Sequence, residues 1–333
     1  MKPHRSRCAL VLQLLVAGAA TLLAGIAAQA QAQAAYPDKP IRLVIPFPAG
    51  GAVDTFARII GPELGHQLGQ PIVILNKPGG GSQIAANDLL AQPADGYTVF
   101  VAQGGDFTVN PVLYRNLSYN PARDFESVAI MVKAPSVMLG NVAGKIRNVE
   151  TLKQAMAPGS SVLYGSYGPG TAPHLLGHML SKKAPGANFT HVPYKGFPPA
   201  MQALMTNEID LLFDGIPGTL NMMRTGKIVP IAVADTQRNP NIPDVPTTAE
   251  IGLPQIVNEF WIAAAVKKGT PRAIVSRLHD AFEKAVASPE NAKKFTEIGY
   301  TRVSMTPERL DAYIQSETAK IRPVIVDTGV VVD

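Results

Sequence analysis

The sequence predicts an α/β protein of two doubly wound, mostly parallel lobes with a ligand cleft between them. Three observations carry this. Short β-type runs alternate with amphipathic helical stretches from residue 41 onward. Glycine loops recur at the ends of those runs, the places where open α/β sheets bind ligands. Two strand, glycine-loop, helix units, at 41–68 and 161–181, stand far enough apart to belong to separate lobes.

The first 35 residues are set apart from this pattern. Lys2, Arg5 and Arg7 form a basic head, an apolar run follows from Ala9 to Ala28, and Ala28-Gln29-Ala30 through Ala32-Gln33-Ala34 offer overlapping A-x-A cleavage sites. This reads as a cleavable secretory signal peptide over 1–35, which directs the chain out of the cytoplasm. Its removal takes the net charge from +5 to about +2 and leaves no basic run for nucleic acid. It also carries away the single cysteine, Cys8, so the mature chain offers no disulfide, cysteine-based zinc site or thiol nucleophile. With 46% hydrophobic and 17% charged residues, the rest can bury an ordinary globular core.

In order, a strand is expected over 41–45, then the loop Pro46–Asp54, then a helix whose Phe56, Ile60, Leu64 and Leu68 lie on one face. Pro62 inside that series predicts a kink or break near Ala57–Gly61. A strand over 71–75 leads to the glycine loop 76–82, with Ser82 expected to cap a helix through Leu90. A strand over 97–102 ends in the loop Gln103–Asp106. Two β-type runs, 127–132 and 136–139, flank Ala134-Pro135 and cross into the second lobe. There the pattern gives a helix over 149–156, the strand 161–164, the loop Gly165–Thr171 and the helix 172–181. A strand over 188–193, a helix over 199–207, a strand over 209–213, a turn at 214–218 with a short helix to 225, and a strand over 228–234 follow. After a proline-rich loop, 237–250, the strand 260–266 crosses back. Three helices, 271–287, 289–298 and 307–321, begin at Thr270, Ser288 and Thr306. Lobe 1 is thus 36–137 with 258–333, lobe 2 is 138–257, and the crossings near Val137 and Asn258 form the hinge.

Enzyme patterns are absent where they could have stood. Tyr164 occupies the first glycine of a nucleophile elbow around Ser166, and Pro173 the third glycine of a dinucleotide fingerprint after Gly168-Pro169-Gly170. His174 and His178 have metal-sharing spacing on a helix, but Leu175 stands where a metalloprotease has its glutamate. No catalytic residue, cofactor or metal is expected. Binding remains. A helix N-terminus preceded by glycines exposes free amides to a small anion, and both Phe47–Asp54 and Ser166–Thr171 have that form. Asp54, Asp106 and Asp214 all follow strands and either converge on the cleft or serve the helix ends beside them.

Several motifs together resemble one family. They are Tyr36-Pro37-x-Lys39-Pro40-Ile41-Arg42, Pro46-Phe47-Pro48-Ala49-Gly50-Gly51-x-x-Asp54, Asn76-Lys77-Pro78-Gly79, Asp95-Gly96-Tyr97-Thr98, Asn110-Pro111-x-Leu113-Tyr114, Gly168-x-Gly170-Thr171, His191-Val192-Pro193-Tyr194-Lys195-Gly196, Asp210-x-x-Phe213-Asp214 and Asp244-Val245-Pro246-Thr247. With the signal peptide they resemble the Bug family of periplasmic solute receptors of tripartite tricarboxylate transporters. The resemblance implies a type II periplasmic-binding fold, capture of a small carboxylated solute by hinge closure, delivery to integral membrane permease subunits, and no catalysis. It places ligand contacts at Phe47, Ala49, Gly50, Gly51 and Asp54 and at Ser166, Tyr167, Gly168, Gly170 and Thr171, with Gln103, Asp106 and Asp214 nearby and Phe47, Tyr167 and Trp261 as apolar walls. Departures from the family pattern fall at Gln103, Asp106, Tyr167, Pro169 and Gly215. An acid at Asp106 would repel a second acid group and favour an ammonium or hydroxyl, so an amino acid or a neutral-ended monocarboxylate stands beside a plain dicarboxylate as the expected solute. A periplasmic partner of a signalling sensor, or a secreted hydrolase or isomerase on this fold, are the competing readings.

Overall fold

Runs of Val, Ile and Leu short enough to be strands, each followed by a glycine turn and a helix, assemble here into two half-sheets joined through one long strand. The computed structural model describes residues 36–332, so the expected signal peptide lies outside the described residues. Strand β1 (Ile41–Ile45), helix α1 (Ala52–Leu68), β2 (Ile72–Asn76), α2 (Gln83–Leu90) and β3 (Thr98–Gln103) build the first unit. Short helices α3 (Gly104–Thr108), α4 (Asn110–Leu113) and α5 (Pro121–Asp124) lead to β4 (Phe125–Gly140). Then come α6 (Val149–Ala155), β5 (Ser161–Ser166), α7 (Ala172–Ser181), β6 (Asn188–Pro193), α8 (Phe197–Met205), β7 (Leu211–Gly215), α9 (Ile216–Arg224) and β8 (Val229–Val233). The chain returns through β9 (Glu259–Lys267) to α10 (Arg272–Ala287), α11 (Pro289–Glu297), β10 (Thr301–Arg302) and α12 (Pro307–Thr328).

The strand order is β2-β1-β3-β9-β4-β7-β5-β6, with β8 and β10 also on β4. Within it β2, β1 and β3 are parallel, as are β6, β5 and β7. Strand β4 belongs to both halves: it pairs with β9 as far as Pro135 opposite Glu259, and with β7 from Ser136 opposite Gly215. The two expected runs are therefore one strand. Pro135, which has no amide to donate, sits where the partner changes.

Helices cover both faces of each half. On the first, Phe56, Ile60 and Leu64 of α1 pack with Leu278 and Phe282 of α10 over one face, and Phe100, Phe107, Trp261 and Leu310 fill the other. The second half is covered by Leu204 and Leu220 on one side and Leu176 and Leu180 on the other. Trp261, expected as a cleft wall, is 3% exposed and stacks on Phe107 in the first core.

Four local expectations are corrected. Helix α1 runs unbroken through Pro62. Pro62 and Arg58, whose carbonyl loses its donor, are both exposed, so water can serve that carbonyl. Ser82 is not a cap: it adopts φ 72°, and its hydroxyl donates to Asp106 at 2.5 Å. The segment after β3 is helical, because the Asp106 carboxylate accepts the Gln103 amide at 3.1 Å and closes a first turn. Helix α12 also runs seven residues past its expected end, to Thr328.

Candidate functional site

Parallel strands send their C-terminal loops to one edge of a sheet. The residues singled out in the sequence lie at such edges in both halves: Phe47–Asp54 after β1, Gln103 and Asp106 after β3, Ser166–Thr171 after β5, and Asp214 near the end of β7. The two halves meet there. An added Cβ at Gly170 would come within 2.0 Å of Leu113 in α4, and one at Gly299 within 2.8 Å of Ile216 in α9.

The loop after β1 is built around Asp54, not around a ligand contact by it. Asp54 is 1% exposed; its carboxylate accepts the Gly50 amide at 2.8 Å, Arg58 Nε at 2.9 Å and Asn76 Nδ2 at 3.0 Å. Asn76 donates also to the Phe47 carbonyl, so the last residue of β2 ties both ends of the loop. Burial pushes the Asp54 carboxyl up, but the bonds from Arg58, Gly50 and Asn76 outweigh it and hold it below the usual carboxylate range. Phe47 packs against the first core while Ala49 and Gly50 are exposed and Gly51 half-buried. With the Gly50 and Gly51 amides bonded to Asp54 and to the Pro48 carbonyl, and Thr55 donating the first helical bond to Gly51, the donors left at this helix start are the first-turn amides of Ala52, Val53 and Asp54.

The loop after β5 is likewise held from within. Ser166 Oγ, fully buried, accepts the Gly168 amide at 3.0 Å and lies 2.6 Å from His191 Nε2. The Gly170 amide donates to His174 Nδ1 at 3.0 Å, and the Thr171 hydroxyl to the Gly168 carbonyl at 2.7 Å. His174 and His191 stack at 4.2 Å beneath the loop. Burial, with His191 and His178 adding to it, pushes His174 down to about 4, which keeps its ring neutral and able to accept. Its spacing with His178 in the sequence suggested a shared metal; instead His178 Nε2 pairs with Asp327 at 2.7 Å. The two glycine amides expected to cradle an anion here are therefore committed inside the loop. Gly170 needs its φ of +77° and its missing side chain for the approach to Leu113.

Asp106 is 4% exposed and bonded to Ser82 Oγ, the Gln103 amide and Asn110. Burial pushes it up to about 7 against those bonds. It braces the edge of the first half from behind, and Gln103 beside it is half-buried. Asp214 is partly exposed yet densely surrounded, and burial, opposed by Tyr167 and the Gly215 amide, likewise pushes it up to about 7. Sequence reasoning passed over Asn76, His191 and Tyr300, and weighed His174 only as a metal ligand. Asn76 and His191 were visible only as letters in motifs, since their partners lie 22 to 29 residues away in sequence.

Residues 56–330 match the TctC family, the tripartite tricarboxylate transporter family receptor. BugT of Bordetella pertussis is 30% identical over 318 residues, covering 95% of this chain and 97% of BugT. Among solved structures, MatC from Rhodopseudomonas palustris with bound malate is 28% identical and covers 87% of this chain and 100% of its own, with a TM-score of 0.74. Rpa4515 of R. palustris with adipate is 29% identical, covering 89% of this chain and 99% of its own, with a TM-score of 0.81. Because the match runs from the second turn of α1 to beyond the end of α12, it takes in both halves and the strands that join them, and the chain belongs to the tripartite tricarboxylate transporter receptors, the Bug proteins.

Proposed function

We propose that this protein is a periplasmic receptor that captures a small carboxylated solute by closing its two lobes on it and presents the closed form to the permease subunits of a tripartite transporter. One observation carries the reading: on both sides of the seam, the loops it needs lie at the C-terminal edge of three parallel strands. Malate and adipate, bound by MatC and Rpa4515, support a small carboxylate as the ligand class. The lobes are 36–137 with 258–333 and 138–257. A carboxylate of the solute sits at the first turn of α1, where the amides of Ala52, Val53 and Asp54 have no partner within the helix and the helix dipole favours a negative charge. Asp54 and Asn76 keep that turn in shape, and Ser166, His174 and His191 do the same for the facing loop. The work is binding and release; it needs no nucleophile, metal or cofactor.

A thermal-shift screen of the purified protein against carboxylates, amino acids, aromatic acids and sugars tests this. A solute that binds the native state raises the melting temperature. The expected result is a shift confined to carboxylates and lost in Gly51→Phe, whose ring would cover the free amides. A carboxylate shift that survives Gly51→Phe would remove the first loop from the site.

A further inference from the structure

Two hydroxyls on the seam have no role in the account above. Among the described residues, the buried side-chain oxygens and nitrogens without a hydrogen-bond partner are Tyr167 Oη and Tyr300 Oη. Folded proteins pair nearly all such groups, so two of them flanking one carboxyl call for a reason. They come from opposite halves. The parallel register of β5 and β7 sets Tyr164 opposite Leu211 and Gly165 opposite Leu212; carried on two residues, it puts Tyr167 beside Asp214. The Tyr167 hydroxyl lies by the Asp214 carboxyl without closing a hydrogen bond of ordinary geometry. Tyr300, 5% exposed, stands just before β10 on the first half. Its neighbour Gly299 touches Ile216, and Phe260, 6.2 Å from the Tyr300 ring, lies against Gly215. The Asp214 carboxyl bears on both tyrosines.

We propose that Asp214, Tyr167 and Tyr300 form a second subsite of the receptor, which takes a hydrogen-bond-donating end of the solute, an ammonium or a hydroxyl, remote from its carboxylate. The inference rests on the receptor reading and names the selectivity of that same cleft. A second carboxylate would need Asp214 to stay protonated, whereas an ammonium lets it ionise. An ammonium supplies the missing counter-charge and three donors, for Asp214 and the two phenol oxygens; a hydroxyl donates to Asp214 and accepts from one tyrosine. Because the tyrosines come from opposite halves, such a group bridges the seam.

Calorimetric titration of the purified protein with chain-matched sets tests it: butyrate, 4-hydroxybutyrate, 4-aminobutyrate and succinate, with their five- and six-carbon counterparts. The amino- or hydroxy-ended member is expected to bind about tenfold or more tighter than the diacid of equal length. Asp214→Asn should abolish that preference while leaving the diacid unchanged or tighter. Tyr167→Phe and Tyr300→Phe should weaken the preferred ligand yet leave the ligand-free melting temperature unchanged or higher, since each deletes an unpaired buried hydroxyl; that readout separates binding from folding. Diacids that bind tighter than their counterparts, or a preference untouched by all three variants, would overturn the subsite and leave the receptor reading intact. Failure of every carboxylate to bind the folded protein would overturn both.

Discussion

Asp106 is enclosed by neutral donors alone, and its proton therefore becomes a stability term. Its carboxyl is raised from 3.8 to about 7 in the folded protein. Between those values the folded chain holds a proton that the unfolded chain has released, so stability is fully present below about pH 4, falls as pH rises through 7, and then levels. At about 1.4 kcal/mol per pH unit the loss is up to about 4 kcal/mol. His174, pushed down to about 4, works the other way, since the unfolded chain takes up a proton below 6.5 that the folded chain refuses. The comparison must therefore be Asp106→Asn against wild type. Melting temperatures over pH 4–7 should fall more steeply in the wild type, and parallel profiles would show that Asp106 does not titrate as described. The three aspartates looked alike in sequence because each follows a strand. Asp54 holds its loop, Asp106 braces an edge, and Asp214 faces the seam, distinctions set by partners up to 24 residues away in sequence and by burial.

At the scale of elements, the loop after β1, proposed to hold the solute's carboxylate, depends on its neighbouring strand. Asn76 ends β2 and spans the Phe47 carbonyl and Asp54. Asn76→Ala should cost about 1–3 kcal/mol of stability, the usual range for buried groups left unpaired, and should weaken every carboxylate alike, because it loosens the shared end of the site and not the selective one. Denaturant unfolding with calorimetry checks both, and full affinity in this variant would remove Asn76 from the positioning of the loop. Element positions were largely readable from periodicity: the apolar series of α1, the alternation through β7 and the capped starts of α11 and α12 all stand where expected. The errors share one cause. Pro62, Ser82 and Pro135 were judged by local propensity, and each is overruled by surroundings that propensity does not include: solvent at the helix face, an acid 24 residues on, and a change of strand partner.

Across the whole molecule, the proposed closure would bend β4 at Ser136 and the return segment at Asn258, which are stitched together. Ser136 N donates to the Asn258 carbonyl at 3.0 Å and Asn258 Nδ2 to Ser136 Oγ at 2.8 Å. A third tie comes from the end of α12, where Ile325 packs with Leu113 and Leu175 and Asp327 pairs with His178 and Lys182 of α7. Saturating solute should lower the radius of gyration in solution scattering, together with a stability gain of about 2.7 kcal/mol at a hundredfold excess over Kd; an unchanged scattering curve alongside calorimetric binding would refute closure. The amino-acid sequence by itself determined the two-lobed α/β class, the strand-end position of both glycine loops and the family, because periodicity, glycine turns and contiguous motifs are local properties of the chain. Only the tertiary structure decided that the loop glycine amides are bonded within their own loops, which aspartates are occupied, and that Tyr300 stands on the opposite half from Tyr167. Those outcomes depend on burial and on partners brought together by strand pairing, and no local pattern records them.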